Sequence, residues 1–184
     1  LLSAFAMSGC MLSQAFGAAA YYAEKAKKIE VAAKSAGLDN SSVPVTVQDI
    51  IYHSRIVRRG LGRAFLVADM PFMSYTNPSQ ALENAVRLMQ EGAAMMVKLE
   101  GGASQVKIVE HLAGHDIPVC AHLGLRPQSV HKIGGFKVQG RDQAQAEQML
   151  EDAVALEQAG ADILLLECVP NELGQAVRDA VTVP

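Results

Sequence analysis

Glu91-Gly92-Ala93-Ala94-Met95-Met96-Val97-Lys98-Leu99-Glu100 and Gln158-Ala159-Gly160-Ala161-Asp162-Ile163-Leu164-Leu165-Leu166-Glu167 follow one plan: a helix end, a glycine, a short apolar run and a terminal glutamate. A glycine placed there ends a helix. The run after it is short and apolar at successive positions, as in a strand covered on both faces. Outward from these two units the pattern continues. Residues 64–69 and 117–122 are further strand-like runs beside 95–100 and 162–167. Helical spacing fills the intervals at 78–91, 104–113 and 143–158, each stopped by Gly92, Gly114 or Gly160, and again at 171–180. Residues 47–59 form an earlier helix, with Arg55, Arg58 and Arg59 near its end, where cations suit the helix dipole.

Strands alternating with helices predict βαβ units and a parallel sheet. Repetition of the unit fits a (β/α)8 TIM barrel, which needs about 250 residues when complete. The 184 residues here hold four such strands. The expected fold is therefore α/β: a partial (β/α)8 barrel of about four parallel strands over residues 37–184, preceded by an Ala-rich helical segment over 1–36. An open set of four strands exposes two sheet edges, and the N-terminal helix is expected to cover one.

Half of the residues are hydrophobic and 19% are charged, enough for a packed core. The net charge of -3 and the absence of Trp argue against nucleic-acid binding. Cys10, Cys120 and Cys168 form no C-x-x-C pair, which suits a reducing compartment. No apolar run reaches the roughly 18–20 residues of a membrane span without polar interruption. Gly17-Ala18-Ala19-Ala20 has the look of a signal-peptidase site and Met7-Ser8-Gly9-Cys10 of a lipoprotein box. With no basic n-region before them, helix is the expected reading.

Each of the four runs ends in a polar residue: Asp69, Glu100, His122 and Glu167. The C-terminal strand ends of a parallel α/β fold form its active-site rim. Lys98 and Glu100 are two apart on a strand and share a face. Buried there, they must be paired or must hold something. Asp69 and Glu100 supply hard oxygen donors for a divalent cation such as Mg2+. Such an ion chelates an α-keto acid and stabilises its enolate as a Lewis acid. Lys98 can add positive charge near the enolate. Glu167 follows three leucines, and apolar surroundings raise a carboxyl's pKa toward that of a working base. His122 can donate a hydrogen bond to substrate. Weaker signals are His111 and His115, read as a solvated helix face, and the 134–141 Gly-rich stretch, read as an anion cradle or a loop lid. Cys168 is read as a small buried hydrophobe, and Met95 and Met96 as core.

These residues lie in a set of motifs that resembles the ketopantoate hydroxymethyltransferase family. The motifs are Val43-Pro44-Val45-Thr46-Val47, Ala68-Asp69-Met70-Pro71-Phe72-Met73, Val97-Lys98-Leu99-Glu100-Gly101-Gly102, Val119-Cys120-Ala121-His122-Leu123-Gly124-Leu125, Gly134-Gly135-Phe136-Lys137-Val138-Gln139-Gly140-Arg141 and Leu166-Glu167-Cys168-Val169-Pro170. The resemblance covers about residues 37–184. It implies a Mg2+-dependent, cytoplasmic homo-oligomer, a decamer in the family. The reaction it implies converts 3-methyl-2-oxobutanoate and 5,10-methylenetetrahydrofolate to 2-dehydropantoate and tetrahydrofolate, on the way to pantothenate. Asp69 and Glu100 would then be metal-site acids, Asp69, Lys98 and His122 substrate contacts, and Glu167 the catalytic base.

The departures are specific. The family's Gly-Asp-Ser-Leu-Gly motif, with a metal-ligand Asp and a substrate-binding Ser, has no counterpart in residues 1–42. The chain stops at Pro184, before the family's later barrel units. One-residue insertions fall near Ser42 and at Met95-Met96, the second able to disturb the register of Lys98. A catalytically inactive fragment or pseudoenzyme of the same family is thus an alternative, and another Mg-dependent α-keto acid barrel lyase a second.

Overall fold

The computed structural model describes the backbone of residues 4–7, and residues 42–135 and 137–184. Among the described residues, five strands make one sheet in chain order: β1 (Ala4–Met7), β2 (Phe65–Asp69), β3 (Met96–Glu100), β4 (Val119–Gly124) and β5 (Ile163–Glu167). From β2 to β5 all neighbours are parallel. Helices α1 (Val47–Gly60), α2 (Pro78–Gln90), α3 (Val106–Ala113), α4 (Val130–Ile133), α5 (Gln143–Gln158) and α6 (Asn171–Ala180) fill the intervals. The result is an open half-barrel.

Local chemistry sets the helix starts. Thr46 and Asp49 form a reciprocal capping box at α1. Asn77 caps α2, with Pro78 at its first turn, and Asp142 caps α5.

Strand alternation divides the packing. Ala68, Val97, Leu99, Ala121 and Leu123 face the helices and join Ile51, Leu88, Val109, Leu112, Leu156 and Val177 in the main core. Val67, Met96 and Cys120 form a small separate cluster with Phe65, Ile163 and Leu165 on the other face. In the parallel registers, Asp69 lies level with Lys98 and Glu100 with His122. The β2–β3 register is regular from Val67↔Met96 to Asp69↔Lys98. The turn just before β3 holds Ala93 at φ 57. Met95 is 40% exposed, so of this methionine pair only Met96 is core.

The N-terminal expectation needs correction. Ala4–Met7 is a strand, not helix, and runs antiparallel to β2 from Ala4↔Ala68 to Met7↔Phe65. An edge strand presents a row of unpaired N–H and C=O groups, and an apolar tetrapeptide in extended form satisfies them where a helix, already internally bonded, would not. The remainder of 1–36 lies outside the described residues. At the opposite edge, the Leu164 N–H donates to the Pro184 carbonyl at 2.9 Å. That tail is held by Glu157 Oε1, which accepts from Thr182 N (2.6 Å), Thr182 Oγ1 (2.7 Å) and Val183 N (3.0 Å).

Candidate active site

Strand ends carry the polar cluster. Asp69, Glu100 and Glu167 are the last residues of β2, β3 and β5, while β4 runs two residues past His122 to Gly124. Gly124 has φ 90, and a Cβ there would collide with the Glu167 carbonyl oxygen, so glycine lets β4 and β5 close up beside Glu167.

Lys98, Glu100 and His122 are all buried. The Lys98 ammonium lies 2.5 Å from Asp69 Oδ2 and 3.5 Å from Glu100 Oε1. The His122 ring stands between two carboxylates, with Nδ1 3.8 Å from Glu100 Oε1 and Nε2 3.4 Å from Glu167 Oε2. Neither ring nitrogen meets either carboxylate at hydrogen-bond geometry, and a backbone contact with Leu125 weakly opposes the fall in the ring's pKa. Burial, helped by the nearby Lys98 and Arg126 charges, pushes His122 down to about 3. These approaches are therefore contacts of a neutral imidazole, not ion pairs. Glu167 has the most open side chain of the cluster, 41% exposed.

Three carboxylates face one ammonium here. Burial raises Glu100 to about 7; Lys98 opposes that rise, and Asp69 adds to it. Glu167 is raised as well, again first by burial. Cys120, inward and buried, is pushed up to about 11 and is an inert thiol.

Two residues of the site were not singled out in the sequence. Tyr75, in the loop after β2, and Gln128, in the turn Pro127–Ser129 after β4, are buried against the acids. Gln128 N–H donates to Glu100 Oε2 at 3.1 Å, and the Tyr75 hydroxyl donates to Gln128 Oε1 at 2.6 Å. Burial beside Glu100 and Asp69 raises Tyr75 above the usual phenol range, so it keeps its proton. Neither residue changes charge near neutral pH, and 53 positions separate them, so no local pattern announces the pair.

The weaker signals sort themselves. His111 and His115 stack at 4.5 Å at the end of α3, and His115 Nδ1 lies 2.7 Å from the His111 carbonyl. Among the described residues no group of three or more His, Cys, Asp or Glu could hold a metal unaided. Cys168 is exposed at φ 50, not buried as expected; it sits in the sharp turn leaving β5, where its side chain cannot reach the core. The Gly-rich stretch is tied to that turn by the Gln139 N–H, which donates to the Cys168 carbonyl at 2.8 Å.

Comparison with known proteins identifies the family and the fold. A sequence model of the family described as ketopantoate hydroxymethyltransferase matches residues 30–184. The chain is 61% identical over 144 residues to 3-methyl-2-oxobutanoate hydroxymethyltransferase of Halorhodospira halophila (strain DSM 244 / SL1), covering 78% of this chain and 52% of that protein. The enzyme of the same name from Nitrosococcus oceani is 57% identical, covering 78% of this chain and 54% of the relative. The chain thus spans about half the length of the curated relatives it matches. Among solved structures, 2,3-dimethylmalate lyase, a PEP mutase/isocitrate lyase superfamily member, aligns with TM-score 0.59 and 17% identity over 84% of this chain and 54% of that one, a likeness of fold. With the family model matching most of its length and curated relatives at these identities, the chain belongs to the ketopantoate hydroxymethyltransferase family.

Proposed function

We propose that this chain carries half of the catalytic site for transfer of a one-carbon unit from 5,10-methylenetetrahydrofolate to 3-methyl-2-oxobutanoate, giving 2-dehydropantoate. One observation carries the reading: a buried ammonium shared by two carboxylates lies beside a third, more open carboxylate across a neutral histidine. The cluster stands at the strand ends, where barrel enzymes do their chemistry.

The donor set fits a hard divalent cation. Asp69 and Glu100 offer carboxylate oxygens from the ends of two neighbouring parallel strands. Mg2+ keeps several waters and needs only one or two carboxylates beside substrate oxygens. Asp69 and Glu100 would hold it. When bound, it supplies a Lewis acid toward the carboxylate and ketone of an α-keto acid.

The chain's own groups would do the rest. Glu167 takes the proton from C3 of the substrate, and the C–H electron pair moves toward the ketone oxygen. Its exposure leaves it open to substrate, and its raised pKa makes it a better base than an ordinary carboxylate. Lys98 supplies fixed positive charge beside the developing enolate. His122, held neutral, can donate one hydrogen bond to substrate. Water adds to the folate methylene carbon as both of its carbon–nitrogen bonds break, the two water protons going to the two nitrogens and the oxygen staying with the carbon as formaldehyde. The enolate C3 then bonds to that carbon, the C=O pair moves onto oxygen, and the oxygen takes up the proton removed from C3 to give the hydroxymethyl group. We extend the family expectation to a cytoplasmic homo-oligomer; no described helix is long and apolar enough to cross a membrane.

An inactive member of the family is the second reading, favoured by the lack of a three-donor metal group among the described residues. Deuterium exchange at C3 of 3-methyl-2-oxobutanoate, followed by NMR with and without Mg2+, separates the two. Mg2+-dependent exchange that falls about 100-fold or more in Glu167→Gln supports the enzyme. No exchange from folded protein leaves the inactive reading.

A further inference from the structure

Tyr75 and Gln128 join Glu100 in a closed ring of hydrogen bonds. The Glu100 backbone N–H donates to the Tyr75 hydroxyl oxygen at 3.3 Å. That hydroxyl, still holding its proton, donates to Gln128 Oε1 at 2.6 Å. The Gln128 backbone N–H returns to Glu100, donating to Oε2 at 3.1 Å. A branch leaves the ring through Gln128 Nε2, which donates to the Met70 carbonyl at 2.8 Å and reaches Asp69 Oδ1 at 3.5 Å.

The ring ties the end of β3 to the segments that follow β2 and β4, and it treats the two acids alike. Scaffold donors meet one oxygen of each, Glu100 Oε2 and Asp69 Oδ1. The other oxygens, Glu100 Oε1 and Asp69 Oδ2, are turned toward Lys98. Without the ring, nothing among these contacts would choose which Glu100 oxygen faces the site. Both ring partners are buried, at 9% exposure for Tyr75 and 6% for Gln128, and the amide of Gln128 is engaged at both ends. A buried polar group so fully engaged has one stable orientation.

We propose that Tyr75 and Gln128 are positioning residues that set the spacing and presentation of Asp69 and Glu100 for a divalent cation. The metal half of the proposal rests on the functional reading above; the coupling around the ring does not. The ligating groups are the carboxylates; Tyr75 and Gln128 act through them, as outer-shell partners of metal ligands do.

The test uses the whole chain as Tyr75→Phe and Gln128→Met, with Val109→Ala in the core of α3 as a control for lost stability. Two quantities are read: Mn2+ affinity by water-proton relaxation, and the amide proton resonances of Glu100 and Gln128 in metal-free protein. In Tyr75→Phe the Gln128 amide moves although the mutated group touches only its side chain, and the Mn2+ Kd of both variants rises about tenfold or more. Val109→Ala lowers Tm and leaves both readings at their wild-type values. A Gln128 amide that stays in place in Tyr75→Phe overturns the ring. Mn2+ affinity equal to wild type in folded Tyr75→Phe and Gln128→Met overturns the positioning role. A wild-type chain that binds no Mn2+ refutes the metal reading and with it the cation half of this proposal, and the amide resonances then decide the ring on their own.

Discussion

Glu100→Gln is expected to make the protein more stable at alkaline pH. The substitution keeps the shape of the side chain and leaves an oxygen to accept from the Gln128 N–H, now 3.1 Å from Oε2. It removes a charge that the fold tolerates poorly, since burial raises the carboxyl from its ordinary 4.5 to about 7. The folded carboxyl therefore holds its proton more tightly than the unfolded one. Its stability contribution is complete below pH 4.5 and is lost as pH rises to about 7. That interval corresponds to about 3 kcal/mol. His122, held near 3, moves the baseline the other way, because its buried neutral ring resists protonation as pH falls below the usual imidazole range. The quantity to follow is thus the difference between variant and wild type. Urea unfolding monitored by circular dichroism, at pH 4.5, 6 and 8 in EDTA, measures it. The difference should swing by about 3 kcal/mol in favour of Glu100→Gln between the two ends. A flat difference, or a wild type that is the more stable at pH 8, would refute the idea that Glu100 is an under-compensated buried acid.

Other outcomes follow from the same contacts. Lys98→Met strands Asp69 and Glu100 together and should cost about 3–5 kcal/mol at pH 8, less at pH 5, where Glu100 is protonated; urea midpoints at the two pH values check it. Gly124→Ala forces a side chain against the Glu167 carbonyl at φ 90; a loss of about 1–3 kcal/mol should accompany a drop in C3 exchange larger than unfolding alone explains. Glu157, held below the usual carboxylate range by Thr182 and Val183, keeps the C-terminal tail docked above the ordinary Glu pKa and releases it as pH falls through its lowered value. Glu157→Gln should therefore speed hydrogen exchange at the Leu164 amide, which donates to Pro184, before it affects β3 amides.

Much of this was legible because a parallel half-barrel writes itself locally. Apolar runs bounded by Gly92, Gly114 and Gly160 mark strands and helix ends within a few residues, and alternation places Lys98 and Glu100 on one face. All five candidate site residues lie in one cluster. What escaped is what only tertiary structure decides. Tyr75 and Gln128 are ordinary loop residues until β2 and β4 bring them together. The extended form of Ala4–Met7 depends on the free edge of β2, not on an Ala-rich sequence that reads equally as helix. Exposure of Met95 and Cys168 follows from turns at positive φ at or beside them, at Ala93 and at Cys168 itself.

The two faces of the sheet have unequal shares of the work. Val97 and Leu99 belong to the continuous core beneath the helices, while Met96, Lys98 and Glu100, alternating with them, look the other way, where three of the described residues make a buried apolar cluster. Each strand is then two interleaved records, read at alternate positions. A scan along β3 should report pH-independent loss of packing at one set of residues, and chemistry with pH-dependent stability at the other. Charges on the inner face can change only as a balanced set, because removing Lys98 alone strands two acids, while the framework itself is anchored through the apolar side chains their neighbours send in the opposite direction.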